Sequence, residues 1–216
     1  MIGIFGGTFD PIHYGHLRPA TQVLRALELD KIHFVPAGIP PLRNAPAASC
    51  EHRQRMAELA IVDRARLCVD DRETRMPGPA YTVRTLESFR SEFGSTPLCL
   101  LMGTDAFRGL ESWYRWERLL QLAHIVVMER PGSLTTPRVP EHLPSWARDH
   151  VCRDKRDLSD TAAGRILFQH VEPQEISATA IRKKIAQGRS VENLLPQDVW
   201  NYIRAHRLYG YKHEGT

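Results

Sequence analysis

Alternating strand-like and helix-like segments predict an α/β fold: a Rossmann-like, doubly wound parallel sheet with helices on both faces and a small helical C-terminal part. Three observations carry this. Strand-length runs such as Leu98–Met102 are apolar throughout rather than alternating, the pattern of strands covered on both sides. The stretches between such runs carry apolar residues at helical spacing. Glycine or proline closes several of the runs, as at Gly6-Gly7 and Pro36.

The elements follow in order. Met1–Phe5 reads as a strand ended by Gly6-Gly7, and Leu17, Ala20, Val23, Leu24 and Leu27 then mark a helix. Ile32–Val35 is a second strand, Arg53–Val62 a helix and Arg66–Val69 a third strand. Val83, Leu86, Phe89 and Phe93 mark another helix, with Thr82 placed to cap it. Leu98–Met102 and His124–Met128 are further strands, separated by a helical stretch in which Trp113, Trp116 and Leu120 are spaced as a buried stripe. Pro36–Pro46 and Pro131–Pro144 cannot be regular helix and read as loops, the second leading into a short helix around Trp146. A helix from about Thr179 to Gln187 is stopped by Gly188, and another starts at Pro196. No internal repeat or linker divides the chain, so residues 1–216 are expected to form one domain, with about 176–216 as its helical C-terminal part.

Composition excludes several classes. With 216 residues, 42% hydrophobic and 25% charged, the chain is neither disordered nor low in complexity. No apolar stretch reaches the roughly 18 residues of a membrane span, so no membrane partner is expected. The first apolar run breaks at Gly6-Gly7, with Asp10, Pro11 and two histidines following, unlike a secretory signal. The net charge of +4 is scattered rather than gathered in a tract, which speaks against a nucleic-acid partner. Cys50, Cys68, Cys99 and Cys152 show no metal or redox spacing and read as buried free thiols of a cytoplasmic protein. A homo-oligomer is compatible with the sequence.

The segment Gly6-Gly7-Thr8-Phe9-Asp10-Pro11-Ile12-His13-Tyr14-Gly15-His16 joins the first strand to the first helix. Glycines there allow a tight turn and a close approach of backbone to ligand. The helix start offers N–H groups and a positive dipole end, and His13 and His16 can point at one anion. Phosphate binding, a two-histidine metal site and a structural cap all remain open on spacing alone. The segment matches neither the dinucleotide fingerprint nor the phosphate-loop pattern. Some 160 residues on, Ile176-Ser177-Ala178-Thr179-Ala180-Ile181-Arg182 reads as a capped helix start leaving Arg182 free for an anion, or as an ordinary basic helix.

Gly7 through His16 resembles the signature of the nucleotidylyltransferase superfamily, Gly-[Ser/Thr]-Phe-[Asp/Asn]-Pro-x-His-x-Gly-His, at every position. Residues 176–182 resemble its Ile-Ser-x-Thr-x-Ile-Arg motif. The resemblance implies that His13, His16 and Arg182 contact the ATP phosphates and stabilise the transition state. Gly6, Gly7, Thr8, Phe9, Ile176, Ser177 and Thr179 would complete the ATP site, with Mg²⁺ bridging the phosphates and no protein metal cage.

Three middle segments resemble the bacterial nicotinate-mononucleotide adenylyltransferases: Pro79 to Leu86, Gly103-Thr104-Asp105 with Trp113-Tyr114, and Glu129 to Gly132. This implies adenylyl transfer from ATP to nicotinate mononucleotide, with Arg43, Thr82, Thr85, Asp105, Trp113, Tyr114 and Arg130 at the acceptor. Trp113 would stack on the pyridine ring, and Tyr114 and Thr85 would offer amides to its carboxylate. Two departures stand out: Leu42 replaces a histidine in Pro40-Pro41-Leu42-Arg43, and Ala80 replaces a serine. Nicotinamide-mononucleotide and phosphopantetheine adenylyltransferases are the alternative enzymes, and a nucleotide-sensing module the alternative without turnover.

Overall fold

A computed structural model describes residues 1–40, 45–129 and 143–212. Its strands are β1 (Ile2–Gly7), β2 (Lys31–Pro36), β3 (Leu67–Val69), β4 (Leu98–Gly103), β5 (His124–Glu129), β6 (Val151–Cys152) and β7 (Ile166–His170). They form one sheet, every pairing parallel, in the order β3-β2-β1-β4-β5-β7-β6. From β1 the chain winds outward through β2 and β3. It then returns to lay β4 on the other side of β1, so the strand order reverses between β1 and β4. In open α/β sheets ligands bind outside the carboxyl ends of the strands at such a reversal.

Period-two side-chain direction divides the central strands between two cores. Phe5, Cys99, Leu101, Val126 and Met128 enter one core. Ile2, Ile4, Leu98, Leu100, Met102, Ile125 and Val127 enter the other. The first is covered by α1 (Tyr14–Ala26) and α2 (Cys50–Ile61), and equally by α9 (Ala178–Ala186) and α10 (Gln197–Ala205), through Ile181, Ile185, Val199 and Ile203. The second is covered by α4 (Thr82–Phe93), α5 (Thr104–Arg108), α6 (Leu119–Leu122) and α7 (Ser145–Arg148). Short helices α3 (Arg72–Arg75) and α8 (Arg156–Ser159) fill connections.

Three expectations need correction. Thr82 does not cap α4: Tyr81 is the residue before the helix, and Thr82 is its first residue. Ala80 N–H bonds the Ile39 carbonyl at 2.9 Å, which holds the chain extended up to that point. Trp113, Trp116 and Leu120 form no helical stripe. Trp113 is extended (φ −81°, ψ 144°) and Arg115 is left-handed (φ 52°), so the chain makes two separate 3₁₀ turns there. Cys50 and Cys68 are half-buried rather than buried, although all four thiols are free. β7 was not anticipated, because three apolar residues followed by Gln169-His170 are too short a run to separate from loop.

An ion cluster ties β2, the end of β3 and α4 together. Arg72 Nε and Nη2 reach the two Asp70 oxygens at 2.7 and 2.8 Å, and Nη2 also reaches Glu92 at 2.8 Å. His33 Nδ1 lies 3.4 Å from Asp70. Burial alone would lower the His33 pKa, but Asp70 and Cys68 together outweigh it and raise the imidazole to about 9 from 6.5. Folding therefore favours the proton on His33. That contribution is complete below pH 6.5 and is lost as pH rises through about 9. Thermal unfolding should show stability declining over this window, and His33→Gln should flatten the decline. A variant retaining the wild-type slope would assign it elsewhere.

Candidate active site

Four of the motifs singled out in the sequence follow the carboxyl end of a parallel strand: the histidine turn after β1, Thr82–Thr85 after β3 by way of α3, Asp105 after β4 and Ile176–Arg182 after β7. The topology thus gathers them along one edge of the sheet. Arg43 and Arg130 lie outside the described residues.

The turn after β1 is built around two close approaches. Phe9 takes a left-handed backbone (φ 49°) and sends its ring into the core, 2% exposed. A Cβ on Gly7 would stand 2.7 Å from that ring. A Cβ on Gly15 would stand 2.9 Å from the His13 ring and 3.0 Å from the Ile176 carbonyl. Glycine is thus required at both places, and the second shows that the two distant motifs abut. Gly6 is exposed at the turn, with Gly7 and Thr8 half-buried beside it.

His13 is the residue before α1, with extended backbone, and is 4% exposed. Its N–H donates to His16 Nδ1 at 3.3 Å. The two rings stack, centroids 3.8 Å apart and 28° between planes, while Phe9 stands edge-on to His16 at 5.1 Å. Because His16 Nδ1 accepts a hydrogen bond, the proton of the neutral ring belongs on Nε2. The start of α1 is more occupied than the sequence suggests. Tyr14 N–H bonds the Leu194 carbonyl at 3.0 Å and His16 N–H bonds the His13 carbonyl at 2.8 Å. The imidazoles, more than the helix amides, are the polar groups this turn presents.

Arg182 comes to the same turn from α9. Ser177 caps that helix by accepting from Ala180 N–H at 3.2 Å, with Ile176 half-buried before it and Thr179 exposed after it. Arg182 Nη1 donates to the Asp10 carbonyl at 2.7 Å, and Nη2 lies 3.4 Å from Thr179 Oγ1. Three further residues, Asp10, Tyr209 and Arg53, organise this region and were not recognised from sequence. Asp10, 5% exposed, accepts from Ala47 N–H, Ala48 N–H and the Tyr209 hydroxyl. Arg53, 1% exposed, donates to the Thr8 carbonyl at 2.8 Å and the Gly38 carbonyl at 3.0 Å. A signal for Arg53 existed: it shares a helical face with the buried Met56, Ala57 and Ala60.

The expected acceptor residues occupy neighbouring positions on the same edge. Thr82 is half-buried at the start of α4. Thr85 is 2% exposed, and its hydroxyl is spent on Glu73, a carboxyl that burial raises to about 7. Its N–H already donates to the Tyr81 carbonyl at 3.3 Å, so a ligand contact from Thr85 would have to share that group. Tyr114, 44% exposed, lies 4.6 Å from the Tyr81 ring at 35°. The guanidinium of Arg115 sits 5.3 Å from the Tyr114 ring, and that of Arg84 sits 5.6 Å from the Tyr81 ring. Trp113 is half-buried against the second core, and Asp105 is exposed in the first turn of α5. Among the described residues no three His, Cys, Asp or Glu side chains converge to hold a metal, and no helix is long and apolar enough to cross a membrane.

Known proteins share this design. The family model described as cytidylyltransferase-like matches residues 4–184. A protein of Halorhodospira halophila named "probable nicotinate-nucleotide adenylyltransferase" is 46% identical over 210 residues, 97% of this chain and 95% of its own. A protein of the same name from Methylococcus capsulatus is 43% identical over 210 residues, 97% of this chain and 99% of its own. Among solved structures, Plasmodium falciparum nicotinic acid mononucleotide adenylyltransferase complexed with NaAD superposes with a TM-score of 0.72 over 98% of each chain. At 16% identity that likeness bears on the fold. With a family model matched over most of its length and relatives of this identity spanning nearly all of it, the chain belongs to the cytidylyltransferase-like family, among its nicotinate-nucleotide adenylyltransferases.

Proposed function

We propose that the chain transfers the adenylyl group of ATP to nicotinate mononucleotide, giving deamido-NAD and pyrophosphate in NAD biosynthesis. The observation that carries this reading is the meeting of the stacked His13 and His16 with Arg182 on a single turn at the strand-order reversal. An oxygen of the acceptor's phosphate attacks the α-phosphorus of ATP. The bond from that phosphorus to the bridging oxygen breaks, and pyrophosphate leaves with the electron pair. The attacking oxygen is already anionic, so no proton need be removed from it. What opposes the reaction is repulsion between anions and the freedom of two substrates. Catalysis then consists of in-line positioning and neutralisation of charge.

Each residue has a part in this reading. His13, His16 and Arg182 are the catalytic residues, meeting the α-phosphate and the departing pyrophosphate. With Nδ1 engaged by the His13 N–H, His16 would offer Nε2–H to a phosphate oxygen. Gly6, Gly7, Thr8 and Phe9 shape the turn, and Ile176, Ser177 and Thr179 present the start of α9 to the triphosphate. Trp113 would stack on the pyridine ring, with the Tyr114 and Thr85 amides and Thr82 toward its carboxylate. Asp105 would take a ribose hydroxyl, and Arg43 and Arg130 would face the acceptor. Mg²⁺ on the phosphates would supply further neutralisation of their charge. Asp105, exposed beyond β4, could meet that ion, whereas the Asp10 carboxylate is already taken by Ala47, Ala48 and Tyr209. We read residues 1–216 as one domain working in the cytoplasm.

Parallel assays with ATP and each mononucleotide test the reaction. Nicotinate mononucleotide should be converted to the dinucleotide with kcat/KM at least about tenfold above nicotinamide mononucleotide, a preference set by its carboxylate. A preference for the amide would reassign the acceptor, and no pyrophosphate with either would favour a sensing role. His16→Ala should lose about 2.7–4 kcal/mol of transition-state stabilisation, seen in kcat far more than in ATP affinity. Near-normal turnover in that variant would remove the role given to His16.

A further inference from the structure

Asp10 joins four separate segments. It sits in the histidine turn, and its carboxylate accepts from Ala47 N–H at 2.7 Å, Ala48 N–H at 3.1 Å and the Tyr209 hydroxyl at 2.8 Å. Its own carbonyl receives Arg182 Nη1 at 2.7 Å, which leaves that nitrogen 3.7 Å from the carboxylate. Ala47 and Ala48 belong to the segment entering α2, Arg182 to α9, and Tyr209 to the turn that follows α10. One residue thus ties the histidine turn to three neighbouring segments, two through its carboxylate and α9 through its carbonyl.

Tyr209 reaches Asp10 through an unusual backbone. Arg207 (φ 50°), Tyr209 (φ 60°) and Gly210 (φ 73°) all lie in the left-handed region, which residues bearing a Cβ seldom adopt. Together they fold the chain back so that the tyrosine ring packs against the first core with its hydroxyl at the turn. Burial and the adjacent Asp10 raise the phenol well above its ordinary range, so the hydroxyl stays a donor. Asp10 in turn is left with neutral donors on its carboxylate and with Arg182 on its carbonyl.

We propose that Asp10 and Tyr209 form a positioning pair, which sets the Arg182 guanidinium in register with the His13–His16 turn and makes the carboxyl-terminal turn part of the machinery for adenylyl transfer. This rests on the function proposed above. Neither residue touches the reacting atoms; both act through the orientation of Arg182 and the turn. Loosening them therefore weakens interactions made at the transition state more than those made to the bound substrates.

Tyr209→Phe tests this, because it removes one oxygen and keeps the ring. Wild-type turnover is measured first, and its absence would refute the proposed function rather than the pair. In the variant, kcat should fall about tenfold, short of the hundredfold that a full ångström of misplacement costs, with both KM values within about twofold of wild type. Asp10→Asn should lose more, since an amide replaces one accepting oxygen. The double variant should lose markedly less than the product of the two single losses. A Tyr209→Phe enzyme with wild-type kcat at a temperature where it is fully folded would overturn the proposal. So would losses in the double variant that simply multiply.

Discussion

Repulsion between two phosphate-bearing substrates is the constraint on which the arrangement of this chain depends. A reaction that needs neither a protein nucleophile nor a base still needs fixed positive and proton-donating groups around one point. Those groups must be held firmly and yet be left able to meet an anion. In the proposed function, Arg182 would meet both conditions. It donates at 2.7 Å to the neutral Asp10 carbonyl, while the Asp10 carboxylate, 3.7 Å away, is engaged by Ala47, Ala48 and Tyr209. A bidentate pair with that carboxylate would hold the guanidinium as tightly but would compete with a phosphate for its donors.

The packing supports this geometry from beneath. α9 and α10 bury Ile181, Ile185, Val199 and Ile203 in the core that α1 and α2 also cover. The helix bearing Arg182 is thereby fixed to the same sheet face as the helix that His13 begins. Gly15 lets the His13 ring and the Ile176 carbonyl close over the helix start. Arg53 reaches up from α2 to the Thr8 and Gly38 carbonyls, so the loops after β1 and β2 are tied from below by a buried charge with hydrogen-bonded partners.

Much of the fold was legible because its strands are apolar on both faces and its helices keep a clear period, as in Leu98–Met102 and Leu17–Leu27. The failures have physical causes. Trp113, Trp116 and Leu120 keep helical spacing by coincidence, since a left-handed Arg115 breaks the helix between them. Thr82 has the chemistry of a cap, yet the helix begins one residue earlier, with Tyr81 before it and Thr82 as its first residue. Within the site, His13, His16 and Arg182 stand out through local motifs. The work of Asp10 and Tyr209 is invisible in sequence because their partners are backbone groups or side chains from distant segments, and the helical face of Arg53 shows its burial but not the carbonyls it meets. Tyr209 lies 199 residues from Asp10, and nothing in its neighbours announces the contact.

The central claim is that one turn, completed by a guanidinium from α9, receives the triphosphate. The most direct test is a crystal structure of the protein with Mg²⁺ and a nonhydrolysable ATP analogue. Phosphate oxygens should lie about 2.7–3.2 Å from an imidazole nitrogen of His13 or His16 and from an Arg182 nitrogen in the same complex. A triphosphate bound elsewhere on the sheet edge, with the histidines and Arg182 touching none of it, would contradict the claim.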